Sequence, residues 1–448
     1  MRFEGGAGQV TTQEEARGIG YRHYLLAFLL LVSIVAYSDR LILGFLVDAI
    51  KADLGLSDTQ LGLLTGLAFS LFYSVAGVPL GRAIDLYPRN IVLALCVAFW
   101  SVSTALCGAA SGAVSLFLAR CGVGAGEAAM NPSAVALIAD YFPRAKVVRA
   151  LSVFSLGSFA GGGVAILLGG QLIAYLNGLG PITIGGLHDI PVWRIVFVLL
   201  GLPGIVAALF VLTTVRELPH RKTRMAVSSD ESFLGGLAAL WERRAAYFPL
   251  FGGTIAYGFY NYAVLGWYPA MFGRVFHVGP AMISTHYGTA YLAAGITGTL
   301  LAAPLVRFFD QRGHRDAAII VLALASVVTF LPGVMAPLMP SFGGAIGLFL
   351  ISMAMSSMQS GVVFSALVLI TRQSGRGTIT AIYVMVMNLT GASLGNVLIG
   401  LLSDHVFGPE HLNRAIALVA AVALPLSALS FWIGRGAFRV ARAAEEAE

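Results

Sequence analysis

Long apolar runs, separated by short groups of glycine, proline or charged residues, recur along the whole chain. A helix needs about 20 mostly apolar residues to cross the roughly 30 Å hydrocarbon layer of a bilayer. About twelve runs are long enough, and they cover residues 23–50, 57–85, 90–110, 112–140, 147–176, 192–215, 246–273, 281–309, 316–337, 341–371, 377–405 and 412–436. Transmembrane strands would instead alternate apolar and polar residues over segments of about ten residues. The pattern therefore predicts an all-α integral membrane protein with 12 transmembrane helices.

Two related loops indicate that the chain is duplicated. PLGRAIDLYPRN at 79–90 and PLVRFFDQRGHR at 304–315 both read Pro-Leu-x-Arg-x-x-Asp, and their offset is half of the 448 residues. Two pseudo-symmetric six-helix bundles of this kind are expected to form a binding site between them. The predicted units are a cytoplasmic N-terminal tail (1–22), an N-terminal bundle (23–215), a cytoplasmic linker (216–245), a C-terminal bundle (246–437) and a cytoplasmic C-terminal tail (438–448).

Glycines at helical spacing concentrate in the fifth and eleventh predicted spans. GSFAGGGVAILLGG at 157–170 and GASLGNVLIGLLSD at 391–404 would let neighbouring backbones approach closely. Tight static packing accounts equally well for any single glycine, but the density of glycines favours helices that move against each other.

Composition excludes an ordinary water-soluble protein. The chain is 58% hydrophobic and 11% charged, with a mean hydropathy of +0.83, whereas soluble domains contain about 25% charged residues. The three cysteines, Cys96, Cys107 and Cys121, all fall in predicted spans and show no CxxC or Cys/His spacing. We therefore expect no metal site, no redox pair and no cofactor.

The net charge of +6 reflects topology. If the N-terminus is cytoplasmic, 22 of the 28 Lys and Arg residues fall on the cytoplasmic side, with both termini inside. This distribution predicts a multi-pass protein of the cell membrane, surrounded by the lipid bilayer, with no nucleic-acid partner. We expect a monomer.

An arginine and a glutamate lie inside the fourth apolar span, in LARCGVGAGEAAMNPS at 118–133. Arg120 and Glu127 are seven residues apart, so they share one helix face, about 10 Å apart along the axis. An arginine near the middle of a membrane costs roughly 2.5–3.5 kcal/mol on insertion scales, so it needs a partner or water. Asp39 of the first span lies at a similar depth, which predicts one charged cluster of Asp39, Arg40, Arg120 and Glu127.

This cluster has two interpretations. It is either a static salt-bridge network or part of a transport pathway, and intramembrane ionisable groups usually belong to the second class. Two carboxyl groups that share one arginine can differ in proton affinity. We therefore predict that Asp39, Glu127 and Arg120 couple proton binding to substrate, with protonation of either carboxyl releasing Arg120 for an anion.

Two other motifs resemble enzyme signatures but lack the required context. Gly124, Gly126 and Ala129 satisfy GxGxxA, and residues 391–395 satisfy GxSxG with Asp404 downstream. A nucleotide loop follows a strand, and a catalytic serine elbow joins a strand to a helix, whereas both motifs lie in predicted helices. Packing is the favoured interpretation, so we expect no catalytic residues and no enzyme.

The second half carries aromatic and neutral polar residues in its spans, and its charges lie mainly near the span ends. Such a cavity would be charged on one side and aromatic or neutral on the other, which suits an amphipathic molecule with an anionic head. Packing is the alternative for the aromatic residues. The predicted substrate-binding residues are Arg40, Arg120, Tyr257, Tyr260, Asn261, Gln359, Tyr383 and Asn388.

The loop PLGRAIDLYPR resembles the loop signature of the major facilitator superfamily. AYSDR at 36–40, GVGAGEAAMNPSAVALIADYFP at 122–143 and LSVFSLGSFAGGG at 151–163 resemble more specifically the spinster family. This resemblance implies alternating access, coupling to protons and lipid-like cargo such as lysophospholipids or sphingoid phosphates. It also matches Asp39, Arg120 and Glu127 to the charged first-helix and fourth-helix positions of that family.

The loop departs from the superfamily pattern at Leu86, where a basic residue is usual, and at Pro88, where glycine is usual. Gating contacts are therefore expected from the remaining charged residues of the two repeated loops and their neighbours, with a static loop fold as the alternative for both loops. They are Arg82, Asp85, Arg89, Asp140, Arg149, Arg307 and Asp310.

Taken together, these patterns predict a proton-coupled secondary active transporter of an amphipathic, lipid-like anion. The alternative is an organic-anion/proton symporter, because AYSDR also resembles the first-helix pattern of anion symporters in the same superfamily. A hydrophobic cavity open sideways to lipid would favour the first, and a closed polar cavity would favour the second.

Overall fold

The computed structural model describes residues 7–183, 188–216, 238, 240–372 and 375–447. Over these residues the chain forms twelve long helices, α1 to α12, and no strand. The first six are α1 (Ala7–Leu41 and Leu43–Leu54), α2 (Asp58–Gly62 and Ala68–Leu86, joined by a π-helical turn at Leu63–Leu67), α3 (Arg89–Gly108), α4 (Ala113–Glu127 and Met130–Tyr141), α5 (Arg144–Gly178) and α6 (Val192–Thr214).

The second half repeats this arrangement of six helices. They are α7 (Arg244–Phe276), α8 (Pro280–Asp310), α9 (Ala317–Met335), α10 (Phe342–Ile370), α11 (Arg376–Met387 and Ser393–Leu402, with π-helical turns at Asn388–Ala392 and Ser403–Phe407) and α12 (Leu412–Ala447). The predicted all-helical membrane fold is confirmed.

Eleven of the helices in the described part of the chain are long and apolar enough to cross a membrane. The twelfth, α7, is 33 residues long but carries tyrosines at 247, 257, 260 and 262 and an asparagine at 261. Most of these tyrosines are buried inside the second half. Because these side chains lie inside the protein and not against lipid, α7 can be less apolar than a helix that faces lipid.

Helices extend beyond the predicted bundle boundaries at both ends of the chain. Helix α1 begins at Ala7, inside the predicted tail 1–22, and α12 continues to Ala447, through the predicted tail 438–448. Most of the predicted linker 216–245 lies outside the described residues.

Consecutive helices cross the bundle in alternating directions, which gives it two ends. We call the end that holds the start of α1 and the end of α12 the terminal end. It also contains the turns at 87–88, 142–143 and 311–316. The opposite end, which we call the distal end, contains the turns at 55–57, 109–112, 277–279 and 339–341.

Glycines hold the two halves in contact toward the distal end. A Cβ added at Gly44 of α1 would lie 2.9 Å from the carbonyl oxygen of Gly266 in α7, and one at Gly66 of α2 would lie 2.6 Å from that of Ser393 in α11. Real Cβ atoms do not approach this closely, so these positions require glycine. The backbones of the two halves therefore touch there.

The halves separate toward the terminal end. Gly77 lies eleven residues after Gly66 along α2, or about three helical turns, and so faces the same side. A Cβ added at Gly77 would meet nothing within 4 Å. The interface between the halves is thus closed at the distal end and opens toward the terminal end.

Candidate functional site

A cavity of about 280 Å³ lies between the two halves. Helices α1, α2 and α4 of the first half and α7, α8, α10 and α11 of the second half form its wall. Residues of the first half on this wall include Tyr37, Arg40, Thr65, Phe69, Ser70 and Arg120. Those of the second half include Asn261, Tyr262, Tyr291, Ser356, Ser357, Ser360, Asn388 and Asn396.

Two π-helical turns lie on this wall. Thr65 belongs to the π-helical turn of α2, and Asn388 and Ala392 belong to that of α11. Such turns are rare and occur often at functional sites, because they break the regular register of a helix. The cavity is therefore bordered by irregular backbone from both halves.

The glycine motif of α4 explains how its two charged residues are positioned. A Cβ at Gly126 would lie 2.9 Å from the backbone nitrogen of Trp100 in α3, and one at Gly124 would lie 3.0 Å from the backbone carbon of Phe69 in α2. These glycines hold α4 directly against its neighbours. The GxGxxA motif is thus a packing motif within a helix, and it leaves Arg120 and Glu127 facing the interior.

Arg40 forms an ion pair with Glu127. Its Nε lies 2.6 Å from Oε2 of Glu127; the Glu127 side chain is fully buried, whereas the Arg40 side chain is 29% exposed, on the cavity wall. The sequence predicted instead that Glu127 holds Arg120. The difference arises because the first span offers two adjacent charged residues, and only the rotation of α1 decides which of them faces Glu127.

Arg120 makes a different contact. Its Nη1 donates to the backbone carbonyl oxygen of Asp39 at 3.2 Å, and its side chain is 1% exposed. The Asp39 carboxylate accepts a hydrogen bond of 3.0 Å from Thr104 of α3. The structure thus brings Asp39, Arg40, Arg120 and Glu127 together, with pairings that differ from those predicted.

Three polar atoms of this cluster have no hydrogen-bond partner among the described residues. They are Oδ1 of Asp39, Oε1 of Glu127 and Nε of Arg120, and all are buried. A buried polar atom without a partner is costly, and native proteins rarely contain several in one place unless function requires them. The cluster is therefore left with unused hydrogen-bonding capacity.

An aromatic ring separates the two guanidinium groups. The centroid of the Phe69 ring lies 4.5 Å from Cζ of Arg40 and 5.7 Å from Cζ of Arg120, and the Tyr73 ring lies 4.9 Å from Arg40. The faces of aromatic rings attract cations. The two guanidinium groups thus line the cavity beside aromatic faces, whereas the carboxyl groups of Asp39 and Glu127 lie behind them and are fully buried.

The second-half wall is neutral over the described residues. It presents hydroxyl and amide groups, including those of Ser356, Asn261 and Asn388. The site therefore has a cationic side and a neutral hydrogen-bonding side, which is the asymmetry expected from the sequence.

Four of the predicted substrate-binding residues lie in the core of the second half and are absent from the cavity wall. The Tyr257 hydroxyl lies 2.9 Å from Ser356 Oγ, and Nε2 of Gln359 donates to Ser326 Oγ at 3.3 Å. Tyr260 is 1% exposed, and Tyr383 packs its ring against Phe251. The sequence pattern identified the helices that carry these four residues. It did not show which face of each helix points into the cavity.

Arg40, Arg120, Asn261 and Asn388 do line the cavity. The aromatic residues Tyr37 and Phe69 of the first half also line the cavity, although the sequence pattern did not predict them. The same holds for a run of hydroxyl groups on α10, formed by Ser356, Ser357 and Ser360. Three serines within five residues of an apolar helix were the available signal.

The predicted gating residues form contacts within one half or lie exposed at the terminal end. Arg89 forms an ion pair with Asp140, which joins α3 to α4, and Asp310 of α8 lies 2.9 Å from Arg442 of α12. Arg82, Arg149 and Arg307 are exposed, and the side chain of Asp85 lies outside the described side chains. The two ion pairs therefore stabilise each half separately.

Residues 29–395 match the sequence profile of a family described as the Major Facilitator Superfamily. An MFS-type efflux pump from Mycolicibacterium smegmatis is 28% identical over 425 residues, which cover 92% of this chain and 92% of that protein. A probable L-galactonate transporter from Escherichia coli is 30% identical over 184 residues, which cover 41% of this chain and 37% of that protein.

Among solved structures, a bacterial homolog of the human lysosomal transporter Spinster has a similar fold. It is described as inward-facing and unoccupied. The TM-score is 0.77 at 25% sequence identity, covering 95% of this chain and 98% of that one.

Proposed function

Because the chain belongs to the Major Facilitator Superfamily, we propose that it is a proton-coupled secondary transporter that carries a small organic anion by alternating access between its two halves. The chain is a transporter and not an enzyme, as its sequence predicted, and its spinster-like character is confirmed. Proton coupling and the chemistry of the substrate are the proposed parts.

The ion pair between Arg40 and Glu127 is the observation that carries this proposal. Arg40 lies on the cavity wall, and its partner is a fully buried carboxylate that can be neutralised by one proton. When Glu127 is protonated, its hold on Arg40 weakens and the guanidinium can bind the anionic group of a substrate. When Glu127 loses the proton, the ion pair forms again and the substrate is released.

Arg120 and Asp39 have supporting roles in this scheme. Arginine keeps its charge in proteins, so Arg120 supplies a permanent second positive charge beside Phe69 at the cavity wall. Asp39 is a second buried carboxyl in the same cluster and is the other candidate to carry the coupling proton. Glu127 is favoured because it contacts an arginine of the cavity wall directly.

The cavity supports a small organic anion better than a lipid. Its volume of about 280 Å³ lies at the lower limit for ligand pockets. An acyl chain placed against Ser357, Asn388 and Asn396 would leave buried polar groups without partners. A compact anion with hydroxyl groups would satisfy them.

The lipid-like anion predicted from the sequence is the second candidate. Similarity to the bacterial Spinster homolog over most of the chain favours it. In this case the anionic head would occupy the cavity beside Arg40, and the acyl chain would extend out of it toward the terminal end.

The terminal end is assigned to the cytoplasm. Of the 24 Lys and Arg residues in the described part of the chain, 18 lie on that side, as the positive-inside rule predicts for a cytoplasmic face. With this orientation in the cell membrane, both termini are cytoplasmic and the cavity opens inward.

Transport by purified protein in liposomes tests the proposal. Labelled galactonate, an aromatic carboxylate and a lysophospholipid are each offered with and without a proton gradient. We expect saturable, gradient-dependent uptake of a small organic acid. Uptake of the lysophospholipid alone would select the second candidate, and gradient-independent uptake of every compound would contradict proton coupling.

A further inference from the structure

A network of charged residues joins the two halves at the distal end, away from the cavity. Asp58 at the start of α2 is fully buried, and its Oδ2 lies 2.7 Å from Nη1 of Arg274 in α7. Ser403 of α11 donates to the same oxygen at 2.6 Å. Lys51 of α1 lies 2.6 Å from Oδ1 of Asp58. One first-half carboxylate thus binds two groups of the second half.

Asp404 of α11 makes the reciprocal contact. Its Oδ1 accepts a hydrogen bond of 3.0 Å from the backbone nitrogen of Asp58. Its Oδ2 accepts from the backbone nitrogen of Thr59 at 2.7 Å and from the Thr59 hydroxyl at 2.6 Å. A carboxylate of the second half therefore caps a helix of the first half.

This capping is shared between the halves. The first four backbone N–H groups of a helix have no partner within the helix. Ser57 of the first half accepts from the backbone nitrogen of Gln60 at 3.2 Å, and Asp404 accepts from the two preceding ones. The start of α2 is thus completely capped only while α11 lies against it.

We propose that Asp58 and Asp404 form the distal gate of the transporter, each carboxylate holding a helix of the opposite half, and that both must be released before the cavity can open at the distal end. This inference rests on the proposed alternating access but not on the identity of the substrate. Hydrogen bonds to charged groups are the strong ones. The gate therefore favours the closed distal end seen here.

Close backbone packing supports the gate at the same place. A Cβ at Gly62 of α2 would lie 2.6 Å from the carbonyl oxygen of Asn396, and one at Gly400 of α11 would lie 2.8 Å from Cα of Thr59. Because the two helices already touch, a small displacement separates Asp404 from both backbone nitrogens. Both hydrogen bonds of Asp404 to this backbone are therefore lost together when α2 and α11 separate.

Spin-label distance measurements in liposomes test the gate. One label replaces Ser111 in the turn between α3 and α4, and the other replaces Pro340 in the turn between α9 and α10, both exposed and on different halves. The three native cysteines are buried. Asp404→Asn and Asp58→Asn should each raise the ratio of distal-open to distal-closed molecules by about tenfold.

Asp53→Asn is the matched control. Asp53 lies at the same end and pairs with Arg194 at 2.8 Å, but both belong to the first half. The ratio of distal-open to distal-closed molecules in Asp53→Asn should equal that of the wild type. Thr59→Val, which removes only the 2.6 Å hydroxyl bond, should give a smaller increase than Asp404→Asn and does not depend on altering a buried charge.

The outcomes separate the gate from the proposed function. If the wild type samples both distances and the Asp404, Asp58 and Thr59 variants match Asp53→Asn, the gate is refuted and alternating access stands. If the wild type and every variant show one distance under all proton gradients, alternating access fails and the gate fails with it.

Discussion

The structure contains two clusters of buried charge that differ in how completely their groups are paired. In the cavity cluster, Glu127 has one partner, and polar atoms of Asp39 and Arg120 have none among the described residues. At the distal end, both oxygens of Asp58 are occupied, Oδ1 by Lys51 and Arg274 and Oδ2 by Arg274 and Ser403. A cluster with spare bonding capacity can exchange partners, whereas a saturated one holds two surfaces together.

The clusters also differ in which parts of the chain they connect. The cavity cluster lies entirely within the first half, on α1, α3 and α4, and one of its arginines is partly exposed to the cavity. The distal cluster joins α1 and α2 to α7 and α11. The first is therefore suited to bind substrate and protons, and the second to control access.

Replacing Arg40 should have the largest effect. Arg40→Ala removes the positive charge nearest the cavity and leaves Glu127 buried without its partner. Because the substrate anion then loses its charged partner, which costs about 2–5 kcal/mol at a binding site, we expect kcat/KM for uptake to fall by about 100-fold or more.

Arg40→Lys is the control, because it keeps the charge but loses the fixed geometry of the guanidinium group. It should retain more uptake than Arg40→Ala. Equal uptake by the alanine variant and the wild type would remove Arg40 from the binding site. The melting temperature of each variant separates loss of fold from loss of binding.

Neutralising Glu127 should separate exchange from accumulation. In Glu127→Gln the side chain keeps its shape but cannot change its charge, so Arg40 remains available to substrate at every pH. We expect substrate exchange between the two sides of a liposome to persist, while accumulation driven by a proton gradient falls about tenfold. Asp53→Asn is again a suitable control, and accumulation that survives in both Glu127→Gln and Asp39→Asn would contradict the coupling assignment.

Removing the hydrogen bond between Thr104 and Asp39 should change uptake less than replacing Glu127. Thr104→Val removes one hydrogen bond of 3.0 Å to the Asp39 carboxylate and preserves the shape of the side chain. Only this one bond is lost, whereas Asp39→Asn removes the titrating carboxyl group itself. We expect the midpoint of the pH–uptake curve to shift by less than in Asp39→Asn, and an identical curve would show that Asp39 does not titrate during transport.

Replacing one of the hydroxyl groups of α10 should have the smallest effect on uptake. Ser357→Ala removes one neutral hydrogen-bonding group from the second-half wall. We expect KM for a hydroxylated acid to rise by about threefold to tenfold, with kcat nearly unchanged. Ser365→Ala, on an exposed part of the same helix, should leave KM unaltered, and a larger effect of Ser365 would argue against the placement of the substrate.

Much of this fold could be predicted because its signals are local. Each span is a continuous apolar run, and a charged residue inside such a run is conspicuous, as for Arg120 and Glu127. The duplication was visible in two loops. The residues that form the cavity cluster could therefore be named before their geometry was known.

The pairings could not be predicted because they depend on helix rotation and on contacts between distant residues. Whether Arg40 or Arg120 meets Glu127 depends on how α1 and α4 face each other. The distal gate gave no local signal, because Asp58 and Asp404 lie near helix ends, where charges are ordinary. Their contact spans 346 positions of the chain.

Proton exchange on substrate binding tests the central claim most directly. Purified protein in a weakly buffered solution with a pH indicator is mixed with a saturating concentration of the transported acid. If the substrate replaces Glu127 as the partner of Arg40, Glu127 takes up a proton when the acid binds. We therefore expect proton uptake by the wild type. We expect none by Glu127→Gln, which should still bind the acid. Equal proton uptake by both proteins, or binding by the wild type without any proton uptake, would contradict it.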